Sequence, residues 1–378
     1  LKEGLNLKNE GVRWLRERLD EIRSLRGYVS GEAMRRTAEK LGVKPPEIVK
    51  LNSNENFFMP KEKLAQLLME VVEESDPRIY PQQEENEVKN ALSKYLGVPP
   101  ECVVIGSGSD PLIDLVTRLF LGRGDEALSI EPTFSLYQHL VSLWGAKYVG
   151  VPLKNDFSLD AKRILAAVSP KTKMLFVCSP NNPTANQFKM DEIQALVEEF
   201  PGVVAVDEAY VEFADYSIVR LVEKLENLIV FRTFSKAFGL AGLRLGYAVA
   251  NQNLATTLSE KAQLPYVANS IALKMGLKLL ANVEIVKENV GQLKRERGRL
   301  IRELNEISGV KAFNSQTNFV LFRTEKNSDE VFEALLKRGI LIRNIGKILN
   351  IGGCLRTTVG LPEMNDKLLA ALEQVCGE

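Results

Sequence analysis

Lys236 lies in "FRTFSKAFGLAGLRLGY", among Phe231, Phe234, Phe238 and Leu240 rather than among polar neighbours. An amine in such company is partly desolvated. Its pKa falls, and it becomes usable as nucleophile and base. Arg244, eight residues on, adds positive charge and pushes the same way. In "VVAVDEAYVEF", Asp207 ends an almost wholly apolar run, with Tyr210 close behind. A carboxylate is costly there unless it meets a cation. "CSPNNPTANQF" sets Asn182 before a proline in a sharp turn, from which its amide could point into a site. "VVIGSGSDPLIDL" is a strand, a glycine-rich turn and a helix opened by Pro111. Its free N–H groups and helix dipole suit an anion such as phosphate.

Taken singly, each has an ordinary alternative. These are a plain strand–helix turn, a structural turn at Asn182, a helix N-terminus facing Asp207, and a structural role for Lys236. The glycine turn is neither a dinucleotide fingerprint nor a P-loop. It lacks the third glycine of G-x-G-x-x-G, and no G-K-[ST] follows.

The elements that must position these residues are legible as apolar runs. "CVVIGS", "EALSIE", "AKYVGVPL", "KMLFVCSP", "GVVAVDEAY", "LIVFRTFS" and "LGYAVA" read as strands, many separated by helical segments such as "PLIDLVTRLFL" and "MDEIQALVEEF". Such alternation predicts a three-layer α/β/α domain with a mostly parallel sheet, whose ligands bind at the strands' carboxyl ends. After about residue 270 the texture changes to a long basic helix followed by short strands and helices, a smaller α+β domain. The expected division is an N-terminal helical extension over 1–24, a large domain over 51–265, and a small domain from 25–50 and 266–378. The apolar positions Trp14, Leu15, Leu19, Ile22 and Leu25 of the N-terminal helix are expected to pack on the body or on a partner subunit.

Bulk composition narrows the chemistry. The 378 residues are 45% apolar and 26% charged, as in an ordinary globular protein. Lys+Arg and Asp+Glu are both 49, which argues against nucleic-acid or membrane-surface partners. No apolar run approaches membrane-spanning length, the first residues are charged rather than a leader, and the four cysteines form no C-x-x-C pair. A cytoplasmic location is expected. One histidine, His139, rules out a multi-histidine metal site, and no G-x-S-x-G elbow is present. His139 itself reads as structural.

Combined on successive strand ends, the phosphate cradle, Asp207, Asn182, Tyr210 and Lys236 match the needs of one cofactor, pyridoxal 5′-phosphate. Its aldehyde needs a lysine, its ring nitrogen a carboxylate, its ring oxygen hydrogen-bond donors, and its phosphate N–H groups, hydroxyls and an arginine.

The order "SPNNPTA", "VDEAYVEF", "TFSKAFGLAGLRLGY" and "GCLRTTVG" resembles the class I/II aminotransferases of fold type I over roughly residues 25–375. "KLNSNEN", "RIYPQ", "GSGSD", "EPTFSLY" and "TNFVLFR" resemble the histidinol-phosphate branch of that family. The resemblance implies that Lys236 carries the Schiff base and moves the proton between Cα and C4′. Asp207 would pair with the ring nitrogen, Asn182 and Tyr210 with the ring oxygen, and Phe134 would stack on the ring. Ser109, Asp110, Thr233, Ser235 and Arg244 would surround the phosphate. Tyr80 would reach the neighbouring subunit's cofactor, which implies a homodimer. Arg356 would hold the substrate α-carboxylate or its equivalent and Arg343 the distal anion, with Asn318 and Asn54 as lesser contacts. The implied reaction is ping-pong transamination between histidinol phosphate and 2-oxoglutarate, in histidine biosynthesis. An aromatic amino-acid aminotransferase and a threonine-phosphate decarboxylase are the alternatives on this scaffold. The sequence departs from the pattern at Phe57, Phe58, Pro111 and Ala185, the last where glycine is usual.

Overall fold

The computed structural model describes residues 2–25, 27 and 34–377. Residues 26 and 28–33, part of the segment 25–50 expected in the smaller domain, lie outside the described residues. A first short strand, β1 (Val49–Lys50), precedes the main sheet. The seven apolar runs become β2 (Val103–Gly106), β3 (Glu126–Glu131), β4 (Lys147–Pro152), β5 (Thr172–Cys178), β6 (Val203–Asp207), β7 (Leu228–Thr233) and β8 (Gly246–Ala250). They form one sheet in the order β2-β8-β7-β6-β5-β3-β4. β3 to β7 pair in parallel, whereas β8 runs antiparallel to both β7 and β2.

Most of the runs are apolar because both faces of the sheet's central strands are covered, while the edge strand β4 leaves Lys147 and Gly150 exposed. The two-residue alternation sorts them. Leu175, Val177, Val204, Val206, Leu228 and Val230 join one core cluster, with Leu92 of the helix Glu84–Leu96, Ile193 and Leu196 of the helix Met190–Glu199, and Leu273 of the helix Ser270–Ala281. Met174, Phe176, Cys178, Ala205, Ile229 and Phe231 join a second cluster, with Leu112, Ile113 and Val116 of the helix Ser109–Phe120 and Tyr137 and Leu140 of the helix Leu136–Leu143. The result is three layers, helix on sheet on helix. The same alternation puts Cys178, Asp207 and Thr233 on this second face, at the carboxyl ends of three adjacent parallel strands.

After the 24-residue helix Val283–Glu306 come β9 (Val310–Ala312), β10 (Phe319–Thr324), β11 (Ile340–Leu341), β12 (Arg343–Ile348) and β13 (Ile351–Thr358). β12-β13-β10-β9 form an antiparallel sheet, and β11 pairs in parallel with β1. The N-terminal helix spans Lys2–Ser24. Of its five apolar positions, Trp14, Leu15, Leu19 and Ile22 stay exposed and Leu25 is half-buried, and Glu21 pairs with Arg123 at 3.2 Å. Among the described residues no helix is long and apolar enough to cross a membrane.

Candidate active site

A cavity of about 650 Å³ opens at the carboxyl ends of β5, β6 and β7 and is closed on its far side by β12 and β13. Ser109, Asp110, Phe134, Asn182, Asp207, Tyr210, Thr233, Ser235, Lys236, Arg244, Arg343, Arg356 and Asn54 all line it. These residues come from segments as far apart as Asn54 and Arg356, gathered because strand ends, the turns beyond them and the β12–β13 hairpin meet here. Two expected residues lie elsewhere. Asn318 is fully buried, and its Nδ2 donates to the Asn54 carbonyl at 2.8 Å, so it supports the wall rather than forming it. Tyr80 is 68% exposed and stacks on Tyr266, with ring centroids 4.5 Å apart. His139 lines the same cavity, with Gln138 and Ser142 of its helix.

Lys236 Nζ donates to the Ser53 carbonyl at 3.1 Å and lies 5.8 Å from the centre of the Tyr210 ring. Burial, reinforced by the positive charge of Arg356, lowers its pKa to about 8. Asp207 Oδ1 accepts from the Ala209 N–H at 3.0 Å and Oδ2 from the Tyr137 hydroxyl at 2.7 Å. Burial raises the Asp207 pKa to about 6 against the pull of those two donors. The two shifts move toward each other, as expected for an acid and a base drawn into one desolvated site.

The glycine-rich turn is built for close approach. Gly108, at φ 99°, precedes the helix Ser109–Phe120, which starts two residues before Pro111. A Cβ on Gly108 would meet Arg244 Nη2 at 2.9 Å. One on Gly246 would meet the Gly108 carbonyl carbon and the Ser109 nitrogen at 2.5 Å. Arg244 reaches Ser235 Oγ and Asp110 Oδ2, each at 3.4 Å, and Thr233 Oγ1 accepts from the Ser235 N–H at 3.0 Å. Helix N-terminus, hydroxyls and guanidinium thus converge on one small concavity.

On the opposite wall, Arg343 and Arg356 are direct partners in the β12–β13 ladder, which places their side chains on the same face of the hairpin. Arg356 donates to Asn182 Oδ1 at 2.6 Å and to the Asn52 carbonyl at 3.0 Å, and sits 5.1 Å from the centre of the Phe319 ring. Among the described residues, five cations, Lys236, Arg244, Arg343, Lys347 and Arg356, face the cavity against the two carboxylates Asp110 and Asp207. Such a surplus suits a ligand with more than one anionic group.

Residues 46–372 match the family model described as aminotransferase class I and II. The chain belongs to that family. This aminotransferase is 40% identical over 356 residues to a histidinol-phosphate aminotransferase of Methanosarcina mazei, covering 93% of this chain and 95% of the relative. It is 38% identical over 331 residues to one of a Thermoanaerobacter species, covering 87% and 93%. A crystal structure of the histidinol-phosphate aminotransferase from Sinorhizobium meliloti, in complex with pyridoxal-5′-phosphate, matches with a TM-score of 0.85 at 27% identity, over 94% of this chain and 96% of that one. The fold is therefore that of the type I aminotransferases.

Asn56, Glu208 and Arg232, which support this aminotransferase's site, carry no expectation from sequence, whereas Asn54 carries one as a lesser substrate contact. The loop "NSNENFF" is a hub: the Asn54 side chain donates to Tyr210 Oη at 3.0 Å, and Asn56 donates to the Ala237 carbonyl, next to Lys236, at 2.9 Å. Behind the sheet, Glu208 pairs with Arg232 at 2.8 Å and accepts from Ser217 and the Ile218 N–H. That pins the loop that carries Tyr210. Both clusters join segments far apart in the chain, and an asparagine-rich loop or an ordinary acid–base pair signals neither.

Proposed function

We propose that this aminotransferase holds pyridoxal 5′-phosphate in the cavity and exchanges the amino group between histidinol phosphate and 2-oxoglutarate in two half-reactions. The donor set fits the cofactor. A buried carboxylate faces where a ring nitrogen would lie, and the cup formed by Gly108, Ser109, Ser235 and Arg244 suits a phosphate. The Asn182 oxygen is engaged by Arg356, so its Nδ2 is the donor for a ring oxygen. Pyridoxal phosphate, when bound, supplies the electron sink for charge developing at the substrate's α-carbon.

The chain's own groups do the rest. Asp207, buried and doubly hydrogen-bonded, favours a protonated ring nitrogen. Phe134, which lines the cavity, would cover one face of the ring. Lys236, with a pKa near 8, has enough neutral amine at working pH to bond the cofactor and to take the proton from the substrate Cα. Arg356 pairs with the carboxylate of glutamate or the equivalent end of the second substrate, and Arg343 with the distal phosphate or carboxylate. The same reading places residues 51–265 in the cofactor domain, and 25–50 with 266–378 in a smaller domain. The β1–β11 pairing supports joining 25–50 to the smaller domain, whereas the helix Ser270–Ala281 packs on the main sheet and goes with the cofactor domain. It also places the enzyme in the cytoplasm and in histidine biosynthesis, as a homodimer in which Tyr80 serves the neighbouring site. The exposed apolar positions of the N-terminal helix and of the Tyr80 region support the dimer.

The observation that carries the substrate reading is the pairing of Arg343 with Arg356 across the hairpin, two guanidiniums at one end of a cation-rich cavity. A substrate panel with 2-oxoglutarate as acceptor tests it. Histidinol phosphate is expected to react far faster than phenylalanine. Arg343→Ala is expected to lower kcat/KM for histidinol phosphate roughly 10- to 100-fold, the loss of one or two charge-assisted bonds. Its effect on phenylalanine should be small. Equal losses on both substrates would remove the distal-anion role.

A further inference from the structure

In "EPTFSLY" the sequence assigns a role to Phe134 and none to Tyr137, three residues on. The structure gives Tyr137 specific contacts through both its ring and its hydroxyl. Its hydroxyl donates to Asp207 Oδ2 at 2.7 Å, across to the end of β6. Its ring stacks on Phe176 of β5, with centroids 4.9 Å apart and planes 7° from parallel. Its edge meets Phe134 at 5.6 Å and 89°. Only 1% of the residue's surface is accessible, so the ring has one place to sit, and the hydroxyl, which also lies within hydrogen-bonding reach of the Cys178 thiol, is shut off from water.

We propose that Tyr137 is a positioning residue for the cofactor ring: one side chain aims the carboxylate that meets the ring nitrogen and braces the phenyl ring that covers the ring face. The inference rests on the reading that the cavity takes pyridoxal phosphate. Its physical content is a division of labour at Asp207. The backbone N–H of Ala209 fixes Oδ1, the Tyr137 hydroxyl fixes Oδ2, and the two bonds together set the plane of the carboxylate. A phenol hydrogen bond to a carboxylate is charge-assisted, and it favours the ionised acid. Burial holds the Tyr137 phenol well above its ordinary pKa, so it remains a donor throughout the working range. The other titratable groups facing Asp207 are Cys178 on β5, Asp110 at the head of the helix Ser109–Phe120, Lys236 beyond β7, and Tyr210 on its own loop. Of these, Asp110 opposes ionisation of Asp207 and Lys236 favours it.

The test uses the full chain and the dissociation constant for pyridoxal phosphate, read by visible absorbance between pH 6 and pH 9. Four proteins are compared: wild type, Tyr137→Phe, Asp207→Asn and the double variant. Tyr137→Phe keeps both ring contacts and removes only the donor. It is expected to weaken cofactor binding roughly tenfold. It should also move upward the pH below which binding falls, because Asp207 then ionises less readily. In the Asp207→Asn background the same change is expected to add nothing, since Tyr137 acts through Asp207. The double variant also has no buried carboxylate to leave under-donated, so it reports even if Tyr137→Phe alone folds poorly. A Tyr137→Phe protein with wild-type affinity and pH profile would overturn the proposal. So would losses that simply add in the double variant, the signature of a general packing role. Wild-type protein that takes up no pyridoxal phosphate would instead sink the cofactor reading, and the proposal with it.

Discussion

Asp207 shows how a functional residue opposes its own fold. Its pKa is raised from 3.8 to about 6, so between those values the folded chain binds the proton more tightly than the unfolded chain. Stability therefore falls as pH rises from about 4 to 6, and above 6 the full penalty of the buried charge is present. Asp207→Asn is expected to stabilise the cofactor-free protein by about 2–3 kcal/mol at pH 8. Urea titrations of both proteins should show the gap closing as pH falls toward 4. A gap that is constant with pH, or that widens in acid, would mean the carboxylate is not held against its own ionisation. Asp207 and Lys236 were legible in the sequence because a charged residue in apolar company is locally anomalous. Tyr137 was not, because a tyrosine on an apolar helix looks like core, and its hydroxyl partner lies 70 residues away. Ala185, where glycine is usual, adopts φ 65°, a left-handed strain of about 1–2 kcal/mol that the residue type hints at and only the backbone shows.

At the scale of elements, the strands were legible for a simple reason. Both faces of the sheet's central strands are buried, so those strands are nearly unbroken apolar runs, while the edge strand β4 is largely exposed or half-buried, and each of the seven runs overlaps one strand of the sheet. Direction was not legible: periodicity carries no sign, and nothing in "LGYAVA" says that β8 runs against its neighbours. That reversal matters to the site. It brings Gly246, paired with both Thr233 and Gly106, under the turn at Gly108 and Ser109, so two backbones meet where the phosphate cup forms. Gly246→Ala would set a Cβ against backbone that no rotamer change can move. The expected result is a loss of about 1–3 kcal/mol in stability, typical of overpacking. Cofactor affinity should fall with it, because the turn must shift away from Arg244. Thermal melts with and without pyridoxal phosphate separate the two effects. If the ligand raises the melting temperature of the variant as much as that of wild type, the cup does not depend on this approach.

For the whole molecule, the unresolved demand is made by the surface rather than the cavity. Ile79, Tyr80, Leu264 and Tyr266 are all more than half exposed, and Tyr266 adopts φ 57°, an unusual backbone for an aromatic residue. An aromatic pair displayed in this way beside exposed Ile79 and Leu264 is explained if a second copy covers it and receives Tyr80 at the rim of its own cavity. Sharing sites across a two-fold axis has a consequence that a monomer cannot imitate. In a dimer of one Lys236→Ala chain and one Tyr80→Ala chain, one site takes both defects. The other site takes Lys236 from one chain and Tyr80 from its partner, and is intact. Random mixing makes half of the dimers mixed, so activity should return to roughly a quarter of the wild-type value. The measurement is the transamination rate after the two inactive or weakened proteins are dissociated together and reassembled, set against each reassembled alone. A mixture no more active than the sum of its parents would confine Tyr80 to its own subunit. The exposed aromatic pair would then need another occupant.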